Sequence, residues 1–158
     1  RGNVAVLALA GLGAKASPKF KKSFLSLYQR TAELLKISSP DAWITLPVPY
    51  SDNAGFLACG IPAVAITFLP ADEVNLYLKN LMADKNLEKA VMNCKIGFDY
   101  QSKADMSIQR FKYQEKMPMT WRMFHTEFDN LLSLTAEESY NLLQKIFLNL
   151  KNQKILAE

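Results

Sequence analysis

The chain has 158 residues, a length that suits one domain with a single core. Its residues are 49% hydrophobic and 22% charged, which is typical of a globular protein and excludes a disordered chain. The net charge of +4 comes from basic residues scattered among acidic ones, so nucleic acid is not an expected partner.

The first half of the chain reads as strands alternating with helices. The apolar run at residues 3–10 predicts a strand buried on both faces of a parallel sheet. Ser17 and Pro18 are typical of a helix start, and an amphipathic helix is predicted over residues 18–36. Further elements are predicted at residues 42–46 (strand), 52–58 (short helix) and 63–69 (buried strand). Cys59 would lie on the apolar side of the short helix as a small buried side chain.

The second half is expected to be mostly helical. Residues 71–94 predict two helices joined near Asp84, and the polar residues 96–119 predict an excursion from the core. A strand-like segment is expected at 120–124. A terminal helix follows, with Thr135 and Glu138 as a capping box. Its predicted apolar stripe consists of Leu142, Leu143, Ile146, Phe147 and Leu150. Strands alternating with helices indicate an α/β layer architecture. No apolar run approaches the roughly 20 residues that span a bilayer, so no membrane contact is expected of this chain.

Two segments hold residues that could carry chemistry. Asp52 lies at the start of the predicted short helix, ahead of a Gly-Ile-Pro turn at residues 60–62 and a strand. His125 is the only histidine of the chain. Thr126 and Asp129 are close enough to it in sequence to orient its ring, as metal-bound histidines require. A single histidine is also commonly a structural or surface residue, and the residues themselves leave both roles open.

These segments resemble the C-terminal half of the zinc-dependent aminopeptidase family, which includes the glutaminyl cyclases. The family's Ser-Asp-x-x-x-Phe-x-x-x-Gly-Ile-Pro segment corresponds to residues 51–62, and its His-Thr-x-x-Asp segment to residues 125–129. The resemblance implies a three-layer α/β fold with helices on both faces of the sheet. It also implies that residues 1–158 form the C-terminal part of one domain. Residues 72–119 match nothing in the family and would be an insertion.

The same resemblance assigns the site residues. His125 would be a metal ligand, and Asp52, Thr126 and Asp129 would lie beside the metal or in the substrate pocket. Zinc is implied for the intact parent. The family takes another ligand aspartate from the end of a buried strand, where this chain has Ala8. The remaining ligands come from an N-terminal half that this sequence does not contain, and a catalytic zinc needs three protein ligands.

The expected function follows from these matches and departures. The intact parent would be a zinc metallopeptidase, a hydrolase that removes N-terminal residues from peptides, and this chain alone would be inactive. One alternative is a non-catalytic binding or scaffold protein with a peptidase fold, and another is a glutaminyl cyclase-like acyltransferase. The expected partners are a peptide substrate or the missing N-terminal half of the domain. An extracytoplasmic parent is expected, whether secreted, periplasmic or membrane-anchored.

Overall fold

The computed structural model describes residues 2–9, 16–49, 53–92, 113, 115–123 and 137–152. The elements within these ranges are β1 (Val4–Leu9), α1 (Pro18–Ser38), β2 (Trp43–Pro47), α2 (Asn53–Ala58), β3 (Ile66–Leu69), α3 (Ala71–Ala83), α4 (Lys85–Met92), α5 (Met119–Met123) and α6 (Glu137–Asn152). The chain is therefore a mixed α/β protein, as the sequence predicts.

The sheet formed by the described strands has the order β2-β1-β3. β1 runs parallel to β2, with Ala5 opposite Trp43, and α1 provides the crossover that a parallel pair requires. β1 runs antiparallel to β3, with Val4 opposite Leu69. The predicted parallel surroundings of β1 are thus wrong on one side. After β2 the chain passes through the short α2 and then re-enters the sheet at the same end, without crossing over its face. β3 therefore runs in the direction opposite to β1.

Alternate residues of β1 belong to two separate hydrophobic clusters, as the two-residue period of a strand dictates. Val6 belongs to a first cluster with Leu46, Leu69 and residues of three helices: Val74 and Tyr77 of α3, Leu87 and Val91 of α4, and Trp121 of α5. Ala5 and Leu7 belong to a second cluster with Leu34 and Leu35 of α1 and Leu142 and Ile146 of α6. β1 therefore joins both parts of the core.

The helix α1 forms where its start signals and apolar spacing predict it. The Ser17 side chain accepts a hydrogen bond from the Phe20 backbone N–H at 3.2 Å, and Pro18 occupies the first helical position. The rings of Phe20, Phe24 and Tyr28 stack in succession along the helix, with centroids 6.4 and 6.0 Å apart. The helix ends at Ser38, two residues before Pro40.

The predicted pair of helices after residue 71 is confirmed. α3 and α4 meet at Asp84, whose Oδ1 accepts a hydrogen bond from the Asn86 N–H at 3.0 Å. Both helices contribute buried residues to the first cluster. The described helices within residues 72–119, the range predicted to be an insertion, thus contribute to this chain's core.

The strand-like segment expected at residues 120–124 is wrong for residues 120–123, which lie in α5. Pro118 precedes the helix, and its carbonyl accepts hydrogen bonds from the N–H groups of Trp121 and Arg122 at 3.1 and 3.2 Å. The fixed backbone angle of proline favours such a helical turn. Trp121 packs edge-on against the Tyr77 ring at 5.3 Å, so α5 is anchored on α3.

The terminal helix α6 is confirmed, but its apolar residues divide into two groups. Leu142 and Ile146 are buried in the second cluster, and Leu150 packs against it. Leu143 and Phe147, predicted in the same stripe, are exposed. The predicted cap Thr135 lies outside the described residues. No helix in the described ranges is long and apolar enough to cross a membrane.

Candidate functional site

The residues predicted to carry the chemistry, Asp52, His125, Thr126 and Asp129, all lie outside the described residues. Their assigned roles as metal ligand and pocket residues therefore stay predictions. The structure does describe Ala8, the turn that contains the Gly-Ile-Pro segment, and a groove at the opposite end of β1. These three features define what the described residues can contribute to a site.

Ala8 lies at the carboxyl end of β1, directly opposite Leu46 of β2. Its backbone N–H donates to the Ala65 carbonyl at 2.9 Å, and the residue is buried, with 8% of its surface exposed. The carboxyl ends of parallel strands are a common place for site residues in α/β proteins. At this position, where the resemblance implies a ligand carboxylate, the chain presents a methyl group with no electron pair to give to a metal.

The Gly-Ile-Pro segment closes α2 by a recognised helix-end motif. The Ile61 N–H donates to the Phe56 carbonyl at 2.9 Å, and the Gly60 N–H donates to the Leu57 carbonyl at 3.1 Å. Gly60 has a φ of +74°, the left-handed conformation that this pair of bonds requires. Pro62 follows this turn, and proline is common just after a helix end because it cannot continue the helix. This part of the family-like pattern is therefore explained by backbone geometry alone.

The surface of α2 differs from the prediction. Cys59, expected to be buried, is an exposed free cysteine. None of the six residues of α2 is buried, and Phe56 and Ile61 are 54% and 51% exposed. The prediction for Cys59 is wrong because no described element covers the apolar side of this short helix.

The acidic and cysteine side chains of the described ranges do not form a metal site. No group of three or more of them is positioned to hold a metal ion within these residues. A catalytic zinc requires three protein ligands and one open position. The described residues, with Ala8 at the strand end, do not fit that requirement.

A groove of about 640 Å³ lies beside the amino end of β1, at the end of the strand opposite to Ala8. Asn3 precedes β1 there, and Pro70 connects β3 to α3. Leu76, Met117 and Met119 give the groove apolar surface. Sequence reasoning missed this groove because its walls come from parts of the chain that are distant in sequence.

The walls of the groove are tied together by polar contacts. The Glu73 carboxylate accepts hydrogen bonds from the backbone N–H and the hydroxyl of Thr120 at 2.9 and 3.1 Å. Lys116 makes two further contacts at the carboxyl end of α3. Its Nζ lies 2.7 Å from Asp84 Oδ2, and its carbonyl accepts a hydrogen bond from Asn80 Nδ2 at 2.9 Å. These bonds hold residues 115–123 against α3.

The groove contains more acidic than basic side chains. Its carboxylates are those of Asp72, Glu73, Glu115 and Glu138. Its cationic groups are Lys116, which is bound to Asp84, and Arg122. The Arg122 Nε atom is buried and has no hydrogen-bond partner among the described residues. The balance disfavours an anionic ligand, and Glu73 and Lys116 already form contacts that hold the fold together.

Tyr77 forms part of the floor of the groove and has a structural role. Its hydroxyl donates to the Pro47 carbonyl at 3.0 Å. Burial, and secondarily the charge of Glu88, raise the pKa of Tyr77 well above its ordinary value of 10.0. It therefore stays protonated at neutral pH and acts as a hydrogen-bond donor.

No family model matches the chain, and no curated protein or solved structure gives a significant match to it.

Proposed function

We propose that this chain is the C-terminal part of a zinc aminopeptidase-like domain and that it does not hydrolyse peptides by itself. The two family-like segments occur in the family's order. The first precedes a strand and the second precedes the terminal helix, as the resemblance implies. The Gly-Ile-Pro turn leads into β3, and the His-Thr-x-x-Asp segment is followed by the terminal helix α6. The intact protein would act on the N-terminal residues of peptides in an extracytoplasmic compartment.

The proposed architecture is a three-layer domain with helices on both faces of the sheet. Support comes from the division of the core, since Val6 belongs to one cluster and its neighbours Ala5 and Leu7 to the other. Successive side chains of a strand point to opposite faces. The helices α3, α4 and α5 would then cover one face, while α1 and α6 cover the other.

The observation that carries the proposed inactivity is the buried methyl group of Ala8 at the carboxyl end of β1. His125 is the one ligand that the resemblance assigns to this chain, and one ligand does not retain a catalytic zinc. In the proposed domain the other ligands would have to come from residues that precede this chain. In that case the contribution of this chain is a rigid strand end, the segment around Asp52 and one histidine.

Ala8 also favours a second candidate function, a non-catalytic binding or scaffold protein with the same fold. A glutaminyl cyclase-like acyltransferase is the third candidate, and the residues that would distinguish it lie upstream of this chain. The three candidates differ in zinc content and in the reaction of the longest natural form of the protein.

The experiment measures zinc per chain and hydrolysis of aminoacyl 4-nitroanilides for this chain, the longest natural form and its His125→Ala variant. We expect neither zinc nor activity for the chain alone. Zinc in the longest natural form that is lost in His125→Ala, together with hydrolysis, supports the peptidase. Absence of both from the longest form favours the scaffold, and zinc with cyclisation of N-terminal glutamine favours the acyltransferase. Hydrolysis by the isolated chain would overturn the proposed inactivity.

Two substitutions at Ala8 test the strand end directly. An aspartate there would restore the carboxylate that the resemblance implies, whereas Ala8→Asn has nearly the same shape and no charge. We expect zinc to raise the melting temperature of the longest natural form more in Ala8→Asp than in Ala8→Asn. Equal responses would show that this strand end does not face a metal.

A further inference from the structure

The helix α6 has a second apolar stripe that no described element covers. Tyr140, Leu143 and Phe147 are spaced by three and four residues, which places them on one side of the helix. Tyr140 is 58% exposed and Phe147 60% exposed, and Leu143 is exposed as well. The buried residues Leu142 and Ile146 occupy a different side, packed with α1. The stripe is thus additional to the residues that hold α6 on the core.

A row of polar residues borders the stripe along one side. The row has a negative charge at one end and a positive charge at the other. Glu137, Gln144 and Lys151 are exposed and are spaced by seven residues, or about two turns, so they lie in one row beside the stripe. The row begins with a carboxylate and ends with an ammonium group, and Gln144 is at its centre. Gln144 Nε2 donates to the Tyr140 hydroxyl at 2.9 Å, which links the row to the stripe.

Such a row is complementary to itself when two copies of the helix run in opposite directions. With Gln144 at the centre of the pair, Glu137 of each copy lies opposite Lys151 of the other. The same arrangement places the aromatic side chains of Tyr140 and Phe147 on either side of the two Leu143 side chains. A parallel pair would instead place Glu137 against Glu137 and Lys151 against Lys151, which is repulsive.

We propose that this face of α6, the stripe together with its charged row, binds a second copy of this chain in an antiparallel two-fold pair. The interface is isologous, since the same residues are buried on both copies. The facing part of the helix spans about 21 Å from Glu137 to Lys151 at 1.5 Å per residue. An interface of this size is small, so we expect a reversible dimer with a dissociation constant on the order of 10–100 μM.

The first test is the mass of the longest natural form measured by sedimentation velocity across that concentration range. We expect a change from monomer to dimer as concentration rises. Phe147→Asp should weaken the dimer at least about tenfold, since it introduces a charge into the apolar stripe. Because Phe147 is exposed, the variant should keep the circular dichroism spectrum of the native protein.

Charge reversals test the antiparallel direction. Glu137→Lys and Lys151→Glu should each weaken self-association, because each brings like charges together. Mixing these two variants should form a heterodimer, and the double variant Glu137→Lys/Lys151→Glu should regain the native affinity. The matched controls are Glu138→Lys and Lys145→Glu, which make the same charge changes on exposed positions outside the row and should leave the affinity unchanged.

Three results would overturn the proposal. One is a native protein that stays monomeric throughout the concentration range. Another is a dimer that Phe147→Asp leaves intact, which would place the interface elsewhere. The third is an isolated chain that dimerises while the longest natural form does not, which would mean that another part of the protein covers this face of α6.

Discussion

The carboxylate of Glu73, in the first turn of α3, accepts two hydrogen bonds from Thr120, one from its backbone N–H at 2.9 Å and one from its hydroxyl at 3.1 Å. Thr120 is buried and belongs to the first turn of α5. The backbone N–H groups at a helix start have no partner within the helix. Glu73 satisfies one of them from 47 residues away in the sequence.

Replacement of Glu73 should therefore destabilise the fold through α5. We expect Glu73→Ala to lower the free energy of unfolding by about 1–3 kcal/mol, because a buried hydroxyl and a helix N–H lose a charged acceptor. The measurement is chemical denaturation followed by circular dichroism. Asp72→Ala is the control, since Asp72 lies in the same helical turn but is exposed. Equal losses in the two variants would assign the effect to the dipole of α3 and not to Thr120.

Gly2 has no room for a side chain. A Cβ atom added there would lie 2.5 Å from backbone atoms of Leu69, where β3 ends beside β1. We expect Gly2→Ala to lower the free energy of unfolding by about 1–3 kcal/mol, because backbone atoms must move to relieve the overlap. Gly55→Ala is the control. A Cβ there meets nothing within 4 Å, and alanine in helix α2 should raise stability by about 0.5–1 kcal/mol.

Two buried tyrosine hydroxyls of the described residues, those of Tyr77 and Tyr28, should respond differently to removal. Tyr77→Phe removes the donor to the Pro47 carbonyl and should cost about 1–2 kcal/mol of unfolding free energy. The Tyr28 hydroxyl is buried without a partner among the described residues, so Tyr28→Phe should be neutral or stabilising. Urea denaturation of the two variants beside the native protein provides the measurement. Similar losses in both would contradict the distinction drawn between the hydroxyls.

Tyr77 also predicts a loss of stability in alkaline solution. Burial raises the pKa of this tyrosine in the folded state above its ordinary value of 10.0. Its contribution to stability is fully present below pH 10 and falls as the pH rises above that value, since the unfolded chain then releases the proton more readily. We expect unfolding free energy to fall more steeply above pH 10 in the native protein than in Tyr77→Phe. Identical alkaline slopes would contradict this.

Features with local causes were predictable from the sequence. The start of α1 depends on Ser17, Pro18 and the spacing of nearby aromatic residues, and all of these signals lie within a few turns of one another. The break between α3 and α4 at Asp84 is equally local. The alternation of residues in β1 is fixed by strand geometry, but the direction of β3 has no local signal, and the parallel sheet predicted around β1 is wrong on that side.

Features that depend on distant partners were not predictable. The contact between Glu73 and Thr120 joins two elements that nothing in their own sequences connects. The exposure of Cys59 and Phe147 depends on whether another element covers an apolar side, and helical spacing cannot report that. For the candidate site, Ala8 was placed in its buried strand correctly, while the roles of Asp52 and His125 rest on the resemblance and stay predictions.

The hydrogen bond from the Ser139 hydroxyl to the Gly2 carbonyl, 2.7 Å long, has a consequence for the order of events during synthesis. Among the described elements β1 is translated before its partners, and its contact with α6 requires residues as distant as Ser139, which lies 137 positions after Gly2. α1 and β2 follow β1 closely in sequence, but the part of the second cluster that Leu142 and Ile146 cover stays open until α6 is translated. Contacts between such distant residues slow folding, and the apolar residues that α6 has yet to cover are prone to aggregation in the meantime. This chain would therefore depend on chaperones more than a protein with a locally formed core.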